Sequence, residues 1–145
     1  MQEFLNNNVF WIGFWGWFIT QSLKIVLNTI RERRFNFAWI ITTGGMPSSH
    51  AGGVCALTAA LGLKEGLGSP IFAFAVIFSF VVMFDAQTSR RSIGKQAEIL
   101  NTMMDDLYAG RPISEKKIKA FMGHTPIEVL VGALMGILIA LILYP

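Results

Sequence analysis

His50 and His124 are the only histidines in the chain, and each stands at the start of an apolar stretch suited to a helix. The first closes Gly44-Gly45-Met46-Pro47-Ser48-Ser49-His50. Exposed N–H groups and the positive end of the helix dipole make such a start a natural cradle for a phosphate. The same residues also suit an ordinary helix start, with Ser48 or Ser49 as cap, Pro47 in the first turn and the glycines making the bend. His124 precedes Glu128 by four residues, a spacing that lets a carboxylate steady an imidazole and leaves its other nitrogen to attack phosphorus. Thr125-Pro126-Ile127-Glu128 equally spells a capping box with proline at the first helical position, which accounts for Glu128 without catalysis. Glu128 also shares a four-residue stripe with Gly132 and Gly136, so it should face a neighbouring helix rather than lipid.

Cations stand near both histidines in the order of the chain. Lys24 and Arg31 lie late in the first apolar stretch, and Arg90 and Arg91 follow Asp85 at the end of the third. Arginine binds phosphate bidentately, yet cations at helix ends also snorkel or mark a cytoplasmic loop. Asp85 follows a strongly apolar run and calls for a partner there, most simply Arg90, Arg91 or Lys24. Lys95 and Glu98 suit the wet face of an amphipathic helix.

The elements that must position these residues belong in a membrane. The sequence is 53% hydrophobic and 14% charged, against roughly 25% charged in soluble domains. Residues 9 to 30 have the length and composition of a spanning helix, with tryptophans at its start suited to an interface. No basic leader or small-residue cleavage site marks that stretch as a signal peptide, so a retained span is expected. Phe35 to Ile41 is too short to cross and suits a re-entrant or interfacial piece. Gly52, Ala56 and Ala60 recur every four residues and should let a second helix approach closely. A third run begins at Ile71, and residues 89 to 123 turn polar with a helical pattern around Ile93, Ala97, Leu100 and Leu107, an interfacial helical insert. Pro126 to Tyr144 is the last span, and its Gly132 and Gly136 leave a homodimer open.

The expected fold is therefore all-α, a polytopic helical bundle of about four spanning helices, as a single domain over residues 1–145. Arg31, Arg33 and Arg34 in the first linker, and Arg90 to Lys119 in the third, put both linkers in the cytoplasm and both termini outside. The net charge of +3 is modest and divided between these linkers, so nucleic acid is not an expected partner. Cys55 is a single cysteine in an apolar run, so no internal disulfide is available.

The GGMPSSH block, Asp85 with Arg90-Arg91 and Gln96-Ala97-Glu98, and the block Gly123-His124-Thr125-Pro126-Ile127-Glu128-Val129 together resemble the divergent branch of the type-2 phosphatidic acid phosphatase and vanadium haloperoxidase superfamily. The resemblance covers nearly the whole chain. It implies a membrane lipid phosphate phosphatase, with the runner-up a non-catalytic lipid-phosphate binding or transport protein. Lys24 and Arg31 match the spacing of the family's first motif, with Glu32 where the family has proline. Pro47, Ser48, Ser49 and His50 match the second, with Ser49 in place of glycine. Ser89 and Arg90 begin the third, with Gln96 where the family has histidine, so His124 and Glu128 would have to supply the missing histidine and acid. On that correspondence His124 is the nucleophile, His50 the acid, and Lys24, Arg31, Arg90, Arg91 and the Ser48 to His50 helix start hold phosphate. No metal or cofactor is implied. Expected partners are membrane lipids and a lipid phosphomonoester: phosphatidylglycerophosphate, phosphatidate or a polyprenyl phosphate. The expected location is a bacterial plasma membrane with the site on its cytoplasmic side.

Overall fold

The computed structural model describes residues 2–40, 45–107 and 124–145, and the side chains at all of these except 38, 89–92, 95 and 105–107. A short helix α1 (Gln2–Leu5) precedes α2 (Asn8–Glu32); a 3-10 turn covers Phe37–Ile40; then come α3 (Ser49–Glu65), α4 (Pro70–Leu107) and α5 (Pro126–Leu143). The described residues contain no strand, so the architecture is all-α. Asn8–Glu32, Pro70–Thr88 and Pro126–Leu143 are each long and apolar enough to cross a membrane. The fourth helix, α3, has 17 residues, about 25 Å at 1.5 Å per residue. It lies at the centre, with α2, α4 and α5 packed on it.

Its central place follows from its small residues. Ala51, Gly52, Cys55, Ala56, Ala60 and Gly62 are buried along α3. A Cβ at Gly16 would collide with Ala56, one at Gly132 with the Ser48 carbonyl, and one at Gly136 with the Gly52 carbonyl. Backbone-to-backbone approach of this kind is how helices gain dispersion energy where lipid removes the hydrophobic drive between them. The Gly132 and Gly136 stripe is therefore filled by α3 of the same chain.

The distribution of side chains is that of a protein in lipid. Phe74 (66% exposed), Ile77 (64%) and Ile142 (78%) point outward, while the largest fully buried side chains are Lys24, His124, Thr20, Pro47 and Ser48. Hydrocarbon accepts the apolar side chains on the outside, and polar groups must find partners within the bundle.

The polar helical stretch that begins near Ser89 continues α4 without a break as far as Leu107. At 38 residues the helix is about 57 Å long, well beyond the roughly 30 Å of a bilayer core. Phe37–Ile40, the brief apolar piece before the glycine segment, forms a single 3-10 turn. Thr42 to Gly44 and residues 108–123, including Arg111, Lys116, Lys117, Lys119 and Gly123, lie outside the described residues.

Candidate active site

Alternation of the helices brings the end of α2, the start of α3 and the start of α5 to one end of the bundle. Ser48 caps α3, its side chain accepting from the Ala51 N–H. Its own N–H donates to the Glu128 carbonyl at 3.0 Å, which ties the first turn of α3 to the first turn of α5. The Ser48 and Ala51 amides are thus committed within the fold. An anion at this helix start would have to depend on Ser49 and its neighbours rather than on the whole row of amides.

Ser49 has such a neighbour. Lys24 is completely buried, and its Nζ donates to Ser49 Oγ at 3.5 Å. The Lys24 stem also runs 3.8 Å from where a Cβ on Gly45 would project, and Gly45 has a φ of +84°. Only glycine adopts that backbone without strain, so the turn before α3 closes directly over the lysine. A cation costs several kcal/mol away from water unless polar groups surround it, and Ser49 is one such group.

The two histidines meet at the same end of the bundle. Their ring centroids are 5.8 Å apart at an interplanar angle of 67°. The His124 side chain is fully buried, and its Nδ1 lies 3.1 Å from Glu128 Oε2. The same oxygen accepts the Thr125 N–H at 3.0 Å, while Thr125 Oγ1 accepts the Glu128 N–H at 3.4 Å. Capping and imidazole contact are therefore both present, carried by one carboxylate oxygen. With Nδ1–H donating to the carboxylate, His124 Nε2 carries the lone pair, and both this nitrogen and His50 Nδ1 are buried. The His124 N–H donates to the Ala86 carbonyl of α4 at 3.1 Å, which fixes the residue between α5 and α4. At this centroid distance the rings are in contact, so a phosphoryl group would sit at the rim of the pair rather than between their faces.

Other residues expected at the site are elsewhere. Arg31 is exposed on the last turn of α2, two turns beyond Lys24. Asp85 is exposed and lines an outward groove with Phe80, Val81, Phe84 and Thr88. Gln96, at the family's third-motif histidine position, is exposed on the long extension of α4. Arg90 and Arg91 follow Asp85 on α4, and their side chains lie outside those described. Among the described residues no three His, Cys, Asp or Glu side chains gather as metal ligands do.

One contributor is not singled out by sequence motif. Gln21 is buried, and its Nε2 donates to the carbonyls of Trp39 and Ile40 at 3.0 and 3.1 Å. It thereby anchors the 3-10 turn that leads into the glycine segment. The signal was its register: Gln21, Lys24 and Asn28 fall three and four apart on one face of α2.

The chain is 38% identical over 134 residues, with 85% of each chain covered, to a protein of Bacillus subtilis (strain 168) described as the uncharacterized membrane protein YuiD. No solved structure matches it. The family model described as "Divergent PAP2 family" matches residues 5–139, a span that includes both histidines, Lys24 and Glu128, and the chain belongs to that family.

Proposed function

We propose that this protein is a membrane phosphatase that hydrolyses a lipid phosphomonoester through a phosphohistidine. The observation that carries the reading is the meeting of His50 and His124, 74 positions apart in the numbering and 5.8 Å apart between ring centroids. His124 is the nucleophile: Glu128 holds its Nδ1, and Nε2 attacks phosphorus. His50 protonates the leaving alkoxide, and then, as a base, takes a proton from the water that cleaves the phosphorus–nitrogen bond. Lys24, with Ser49, offsets charge on the phosphoryl oxygens in a site where water does not screen it. Arg90 and Arg91 follow on α4, whose Ala86 carbonyl accepts the His124 N–H, and are further candidates for that task.

Substrates that fit are phosphatidylglycerophosphate, phosphatidate or a polyprenyl phosphate. Arg31, Arg33 and Arg34 at the end of α2 lie at the histidine end of the bundle, which supports a site on the cytoplasmic side. The membrane-protein relative in a bacterium supports a bacterial plasma membrane. Two observations favour a second reading, a lipid-phosphate binder without turnover. Gln96 is exposed and remote in register from the histidine helix starts, and the two rings touch.

Phosphate release by purified protein from a panel of lipid phosphates decides between them. The expected result is release by the parent chain, and loss in both His124→Ala and His50→Ala variants that still fold. Saturable binding of lipid phosphates with no release from any of them would replace the phosphatase by the binder.

A further inference from the structure

Helix α4 rests on α3 and leaves a groove of about 360 Å³ between itself and α2. Phe10, Phe14 and Trp17 of α2 form one wall, and Val82 of α4 the other. The floor is α3, from Ser49 and His50 through Gly53 and Val54 to Leu57. His50 and Leu57 are two turns apart, so the groove follows about 10 Å of helix.

Its two ends differ in chemistry. At one end are Ser49, which accepts from the buried Lys24 ammonium, and His50, in contact with His124. Every other lining residue is apolar or glycine. A cationic, proton-donating head end continuous with an apolar trough complements an amphiphile with an anionic head and one hydrocarbon chain. The larger groove of about 400 Å³ between α3, α4 and α5 lacks this property. It runs to Leu63 and Leu67, and its hydroxyls, Thr58 and Ser79, bond each other at 2.7 Å.

We propose that the groove between α2, α3 and α4 holds one hydrocarbon chain of the phosphate-bearing lipid and thereby places its head at Ser49 and His50. This rests on the lipid-phosphate reading above. It adds the route by which the chain selects the substrate: Val54, Leu57 and Val82 contact the hydrocarbon, and none of them touches the phosphate.

The full-length protein in lipid nanodiscs is photolabelled with hexadecyl phosphate carrying a diazirine near mid-chain, and separately with the matching hexadecanol. The phosphate probe is expected to label Val54, Leu57 or Val82 in a manner competed by unlabelled hexadecyl phosphate, whereas the alcohol labels the outer faces of α4 and α5 without preference. Equal labelling of the groove by both probes, or labelling that resists competition, would make it ordinary lipid-facing surface and overturn the proposal. Val82→Trp, which fills the groove from its α4 wall, should abolish the competed label. It should also lower the ratio of hexadecyl phosphate to phenyl phosphate turnover roughly tenfold; an unchanged ratio counts against the groove. If the parent chain hydrolyses neither ester, the phosphatase reading fails and the labelling result still decides the groove.

Discussion

Helix α3 meets α5 through bare backbone and α4 through side chains. On the α5 side, glycines at 132 and 136 sit against the carbonyls of Ser48 and Gly52, and the Ser48 N–H crosses to the Glu128 carbonyl. On the α4 side, Thr58 bonds Ser79 at 2.7 Å, Cys55 touches Met83 at 3.8 Å, and grooves remain along both flanks. The close seam joins the two helix starts that carry the histidines, where a displacement of an ångström would separate the proposed nucleophile from the proposed acid. The looser seam leaves room for something to lie alongside. Rigidity and space are thus divided between two faces of one short helix.

Breaking the close seam should have the largest effect. In Gly136→Val the new side chain collides with the Gly52 carbonyl, which cannot rotate away as a side chain would. We expect a loss of more than about 3 kcal/mol and little monodisperse protein after detergent extraction. Gly68→Ala is the control, since nothing lies within 4 Å of a Cβ there; its thermal unfolding should match the parent. Equal tolerance of both substitutions would mean that α3 and α5 do not pack through their backbones.

Removing the buried charge tests the chemistry that the close seam supports. Lys24→Met keeps most of the stem and removes only the buried charge, so the fold should survive. Phosphate release should nevertheless fall on the order of a hundredfold. Arg31→Ala, at an exposed position, should change release far less. A similar loss in the two variants would place phosphate nearer the end of α2 than the lysine.

The two roles of Glu128 can be separated next. Glu128→Gln retains an oxygen to accept the Thr125 N–H but no negative charge for His124, so release should fall roughly a hundredfold with little change in unfolding temperature. Thr125→Ala removes the cap and should cost about 1 kcal/mol while leaving most of the activity. If the threonine variant loses as much activity as the glutamine variant, Glu128 serves the helix start alone.

Much of this division was legible from residue spacing, for identifiable reasons. Small residues at 52, 56 and 60 must lie on one helical face, and the structure buries all three. The HxxxE spacing of His124 and Glu128 spans one turn, so its contact is local and readable. The meeting of His50 with His124 required only that apolar stretches alternate in direction. What spacing could not supply was azimuth: which side of each helix faces its neighbour. Asp85 and Ala86 are adjacent, yet Ala86 receives the His124 N–H and Asp85 faces outward, because one residue is a rotation of about 100°. The Gly132 and Gly136 stripe was ambiguous in the same way, since close packing within a chain and between chains uses identical residues. The groove has no motif at all; it exists because α4 stands away from α2.

The smallest expected effect probes the side-chain seam itself. Ser79 Oγ lies 2.7 Å from Thr58 Oγ1 and 3.3 Å from the Val54 carbonyl, while Thr58 reaches the Ala75 carbonyl at 3.2 Å. These bonds are the polar link between α3 and α4 midway along the bundle. Hydrogen bonds between membrane helices contribute only about 0.6 kcal/mol on average, because the separated helices satisfy the same groups locally. Both hydroxyls can also turn back to a carbonyl of their own helix. Thr58→Val with Ser79→Ala should therefore lower stability by no more than about 1 kcal/mol, measured by unfolding in mixed micelles, and leave the histidine pair undisturbed. A loss comparable to that of Gly136→Val would mean that α4 is held as firmly as α5, and the division between a close seam and a looser one would not hold.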